Sequence, residues 1–112
     1  MDEDGYPEDE VLNFIKSYDL AKEKTVDKLL EVIKENWNYA DIKYFTMRKG
    51  KDVLGDPCMK LQLHTGGWSG NESIIDAIQS GKFPTLWIFW TKSKAGGHYY
   101  FDISLSWFKN KK

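Results

Sequence analysis

Two histidines in this chain sit beside glycine pairs and aromatic rings. They fall in His64-Thr65-Gly66-Gly67-Trp68-Ser69-Gly70-Asn71-Glu72 and in Ala95-Gly96-Gly97-His98-Tyr99-Tyr100. Imidazole exchanges a proton near neutral pH, and its neutral ring can bind a metal. Glycine pairs permit turns with positive φ, which bring backbone N–H groups close to a ligand. Indole and phenol rings supply contact area with a polar tip. The candidate ligand-binding residues are therefore His64, Gly66, Gly67, Trp68, Ser69, Asn71, Gly97, His98 and Tyr100.

Several chemistries can be tested against these residues. Two-histidine phosphodiester hydrolases repeat H-x-S/T, and both His64-Thr65-Gly66 and His98-Tyr99-Tyr100 depart from that pattern. A metal needs a third ligand, for which Asp102 or Glu72 is the choice. A Cys–His nucleophile would have to use Cys58, which follows Pro57 in no supporting motif. The first glycine stretch is neither a Walker A loop nor GxGxxG. Ser69-Gly70-Asn71-Glu72 reads as a capping box, with Ser69 starting a helix whose N-terminus would favour an anion. A Glu72 that closes this box occupies the place of such an anion. No catalytic residue is assigned, and no metal or cofactor is expected. Trp68, Trp87, Trp90, Tyr99 and Tyr100, with Lys92 and Lys94, could stack a base and hold a phosphate. The absence of an RNP-type segment and the near-neutral charge argue against nucleic acid.

The elements that must position these residues follow from apolar periodicity. Pro7 suits a helix start, and Val11, Leu12, Phe14, Ile15 and Tyr18 continue it. Thr25 can cap a second helix carrying Val26, Leu29, Leu30, Ile33 and Trp37, which Asn36 and Asn38 help to end. Residues 41–48 read as a strand, 49–52 as a turn and 55–57 as another. Met59, Leu61, Leu63 and Thr65 then alternate with Lys60, Gln62 and His64. Residues 71–80 read as a helix with Ile74, Ile75 and Ile78 on one face and Gly81 at its end. The apolar run 86–91 reads as a central strand buried on both faces, and 92–97 as a loop. In the last strand Tyr99, Phe101, Ile103, Leu105 and Trp107 alternate with His98, Tyr100, Asp102, Ser104 and Ser106. The order is α-α-β-β-α-β-β. It predicts a two-layer α+β fold with a mostly antiparallel four-stranded sheet, helices on one face and both histidines on the other.

At 112 residues the chain is expected to form one domain, residues 1–112, with 1–9 loose. Hydrophobic residues make up 41% and aromatics 15%, so large rings can supply a modest core. The formal charge is −1, with an acidic start from Asp2 to Glu10 and a basic end in Lys109, Lys111 and Lys112. A single cysteine forms no internal disulfide. The acidic N-terminus is unlike a signal peptide, and no apolar run reaches the ~18 residues of a membrane span. A soluble cytoplasmic protein is expected.

The strings Leu63-His64-Thr65-Gly66-Gly67-Trp68-Ser69-Gly70-Asn71-Glu72 and Gly96-Gly97-His98-Tyr99-Tyr100-Phe101 resemble a pattern in small phage and prophage proteins, over roughly residues 59–104. The resemblance implies expression in a bacterial cytoplasm and a role in phage biology or counter-defence. It brings no activity with it. Three functions compete. The first is a non-catalytic binding protein that engages a small ligand or a host protein at the rim of the two Gly-Gly loops. The second is a protein–protein inhibitor acting through acidic and aromatic surface. The third is a phosphodiester hydrolase using His64 and His98.

Overall fold

Apolar side chains at three- and four-residue spacing set the helices of this computed structural model, which describes residues 6–40, 43–81 and 85–109. Helix α1 spans Asp9–Ser17, with Asp9 and Glu10 in its first turn and Lys16 in its last, the arrangement that the helix dipole favours. Residues 6–8 precede it without regular structure, and Asp9, expected in the loose N-terminal segment, is already helical. A one-turn helix α2, Leu20–Glu23, was not expected. The Asp19 carboxylate accepts from the Ala21 N–H to start it, and Lys24, with φ of 68°, stops it. Helix α3 spans Asp27–Glu35. Val26 stands at its N-cap in place of the expected Thr25, and no side chain caps it. Asn36 ends it as expected, its amide donating to the Val32 carbonyl at 2.9 Å.

The strands are β1 Phe45–Lys51, β2 Pro57–His64, β3 Trp90–Lys94 and β4 His98–Ser104. They form one antiparallel sheet in the order β1-β2-β4-β3. Helix α4, Ser69–Gln79, joins β2 to the second hairpin. The fold is the expected α+β arrangement, with α2 added. Two strands differ from expectation. β1 runs on through 49–51, so the reversal falls at 52–56, where the Asp52 carboxylate accepts from the N–H groups of Leu54 and Asp56. Residues 41–42, expected to begin this strand, lie outside the described residues. The run 86–91 is not a central strand. Residues Leu86–Phe89 form a 3-10 turn that buries Leu86, and the strand that follows is an exposed edge including 92–94, expected as loop. Apolar content alone does not separate a buried strand from a turn that plugs the end of a core.

Cross-strand register divides the sheet into two faces. Leu61 opposes Phe101, Leu63 opposes Tyr99 and Met59 opposes Ile103. These side chains join Ile15, Leu29, Ile33, Ile74, Ile78 and Leu86 in one core cluster. The alternate pairs, Lys60 with Asp102, Gln62 with Tyr100 and His64 with His98, occupy the face without helices. The parity expected for β4 is therefore observed up to Ser104, after which Leu105–Trp107 turns into a short 3-10 segment. Trp37 is buried, Trp87 and Trp107 pack partly against the core, and Trp68 and Trp90 are exposed. Among the described residues no helix is long and apolar enough to cross a membrane. Phe101 is buried on an inner strand. Phe101→Ala should therefore cost roughly 3–5 kcal/mol in urea unfolding, and a loss below about 1 kcal/mol would contradict this packing.

Candidate functional site

The sheet register brings the two histidines into direct contact. His64 closes β2 and His98 opens β4, and the two are cross-strand partners. Their Nδ1 atoms lie 2.6 Å apart and their rings meet edge to face at 4.8 Å. One Nδ1 must carry the proton that the other accepts, so the bonded pair holds at most one positive charge. Burial, and next the charge of His98, lower the pKa of His64 from its ordinary 6.5. A phosphate that must sit between the two rings has no room between nitrogens already bonded to each other.

Tyr100 completes this group. Its ring lies 6.1 Å from that of His64. Lys92 and Lys94, opposite Tyr100 and His98 on β3, place their ammonium groups 5.1 and 5.6 Å from the Tyr100 ring centre. A depression of about 380 Å³ continues the face, with Arg48, Lys60, Gln62, Lys92, Tyr100 and Asp102 in its lining. Lys60 and Asp102 form an ion pair at 3.1 Å. The sequence offered Lys92 and Lys94 as phosphate-holding residues but placed them in a loop over 92–97. Once the segment is paired as a strand, their period of two puts both on the histidine face.

The two glycine turns close the end of this face. The Thr65 N–H donates to the Gly97 carbonyl at 2.9 Å, and the Thr65 side chain lies where a Gly97 Cβ would project. Gly97 also has φ of 83°, so a side chain there is excluded on both counts. The Tyr44 ring fills the corresponding space at Gly66. Gly67, like Gly66, is exposed at the turn. Trp68 is 38% exposed, yet it contacts Tyr39, ring centres 5.1 Å apart, rather than an imidazole. Of the expected cluster, His64, His98 and Tyr100 come together, while Trp68 belongs to an adjoining group with Tyr39 and Tyr44.

Two expected site residues serve otherwise. Helix α4 starts one residue early: Trp68 is the N-cap, Ser69 the first helical residue, and no side chain caps the helix. The Glu72 N–H donates to the Trp68 carbonyl, so the capping box is not formed. Asn71 is 0% exposed and cannot meet a ligand. Its amide donates to the carbonyls of Thr65 and Asn38, and its Oδ1 accepts from the Asn38 N–H at 2.7 Å. It ties α4 to the first glycine turn and to the segment after α3. The sequence carried a signal for this, since position 71 falls on the apolar stripe of Ile74, Ile75 and Ile78. Cys58 is buried, and burial, then the Asp102 charge, raises its thiol pKa, which leaves it a poor nucleophile. Among the described residues no three His, Cys, Asp or Glu side chains gather as a metal site.

Asn71→Ala removes the side chain that accepts from the Asn38 N–H and donates to the Asn38 and Thr65 carbonyls. It should cost about 1–3 kcal/mol in urea unfolding, whereas Ser69→Ala should stay within about 0.5 kcal/mol. Equal effects would contradict these roles. The fold favours neutral His64, so the unfolded chain takes up the proton more readily. Stability should therefore fall as pH drops below 6.5 toward the depressed folded value, and His64→Gln should remove part of that fall. An identical pH profile in the variant would contradict it.

No protein-family model, curated protein or solved structure matches the chain.

Proposed function

We propose that this chain is a non-catalytic binding protein that takes an anionic ligand on the open face of its sheet, at the end bounded by the two Gly-Gly turns. One observation carries the reading: His64, His98 and Tyr100 converge with Lys92 and Lys94 on the face opposite the helices. Cations held beside an aromatic ring supply both charge and contact area. Asp102, a carboxylate on the same face, is already engaged by Lys60 and does not repel a ligand as a free charge would.

The test is a titration of ¹⁵N-labelled protein with tripolyphosphate at low salt, followed by amide shifts. Shifts should concentrate on Gln62, His64, His98 and Tyr100 and on strand β3. The double variant Lys92→Ala/Lys94→Ala should bind about tenfold more weakly, or ~1.4 kcal/mol. Shifts confined to the helices, or affinity indifferent to both lysines, would overturn the reading.

A further inference from the structure

The near-neutral charge of this chain is an average over two unlike surfaces. Among the described residues of the helical layer, eight exposed carboxylates, Glu31, Glu35, Glu72 and Asp76 among them, outnumber five exposed lysines. The strands of the opposite face carry Arg48, Lys60, Lys92 and Lys94, and their carboxylate Asp102 is held by Lys60 at 3.1 Å. Arg48, Lys92 and Lys94 form no ion pair with any described residue. Net charge read from composition therefore says little about what this face attracts.

The face also has an aromatic ring at its centre. Tyr100 sits on inner strand β4, between Gln62 of β2 and Lys92 of β3. A simple phosphate would need only the cations. A partly exposed ring on an inner strand, set among cations, suits a ligand that alternates negative charge with flat apolar surface. The amide of Gln62, directly opposite, offers both a donor and an acceptor beside that ring. Lys92 and Lys94 project from one edge strand two residues apart, so their bases lie about 6.8 Å apart along it. Arg48 stands on the other edge strand, three strand spacings or ~14 Å across the sheet and two residues further along it, level with Asp102. Cations on both edges with a ring between them form a track that a chain can cross.

From this arrangement we infer that the ligand is single-stranded nucleic acid. The inference rests on the anion-binding reading above and names its ligand class. A base stacks on Tyr100 while phosphates on either side meet Lys92, Lys94 and Arg48. Unpaired bases are required, because in a duplex the flat faces are already stacked on one another.

The test uses the full chain and fluorescence anisotropy with a fluorescein-labelled oligodeoxythymidylate. Tripolyphosphate, titrated by NMR, and a labelled duplex are the comparisons. The oligonucleotide should bind more tightly than either, and its affinity should fall steeply with salt. Tyr100→Ala should weaken the oligonucleotide roughly tenfold and tripolyphosphate by a clearly smaller factor, since the ring also holds the two lysines, while Tyr100→Phe retains binding of both. Lys92→Ala/Lys94→Ala should weaken both ligands. If tripolyphosphate binds the face but the oligonucleotide gains nothing and ignores Tyr100→Ala, the nucleic-acid inference is overturned and the anion site stands. If neither ligand binds, both readings are overturned. Preference for duplex also overturns the single-strand inference.

Discussion

The pairing of β2 with β4 is the constraint on which the rest of this structure depends. Three apolar cross-strand pairs, Leu61 with Phe101, Leu63 with Tyr99 and Met59 with Ile103, fix its register by burial. A slip of one residue would turn Leu61 and Leu63 to solvent and bring Lys60 and Gln62 under the helices. The register that forms the core therefore also fixes the other face. It sets His64 against His98, Gln62 against Tyr100 and Lys60 against Asp102. The candidate surface needs no separate device to assemble it.

Two further constraints hold the end of that sheet in place. The Asn71 side chain is shut off from water and must find its partners inside the protein, which it does at Thr65 and Asn38. Gly97 must lack a side chain for Thr65 to pack beside it. Both act next to the histidine pair, since Thr65 follows His64 and Gly97 precedes His98. The conspicuous Gly-Gly-Trp and Gly-Gly-His strings thus do structural work first. The binding chemistry proposed above lies on the strand faces that they bound.

Much of this was legible in the sequence where burial has a simple period. The alternation of β4 and β2 gave the sheet faces, and the Ile74, Ile75, Ile78 stripe gave α4. The shared face of His64, His98 and Tyr100 followed from parity alone. Their bonding partner and distance did not, since those need the strand order. The segment 86–94 was misread for a physical reason: Leu86-Trp87-Ile88-Phe89-Trp90 has the composition of a buried strand but is spent on a 3-10 turn. That error moved Lys92 and Lys94 into a loop, so their place on the histidine face was not legible although their pairing with the aromatic rings was. Ser69 was displaced by one position, because a turn closed by the Trp68 N–H on the Thr65 carbonyl lets the helix begin at Ser69 itself. The one-turn α2 is too short for periodicity to register. Its local cue was Asp19, whose carboxylate serves the Ala21 N–H.

The central claim is that a single register creates both the core and an open face carrying histidine, tyrosine and lysine. A nuclear Overhauser spectrum of the free protein tests it most directly. The account predicts ring-proton contacts from His64 to His98 and to Tyr100, together with contacts from the Lys92 and Lys94 methylenes to the Tyr100 ring. Contacts from the Tyr100 ring to Ile74 or Leu86 instead, with His64 and His98 unconnected, would place the ring in the core and contradict the account.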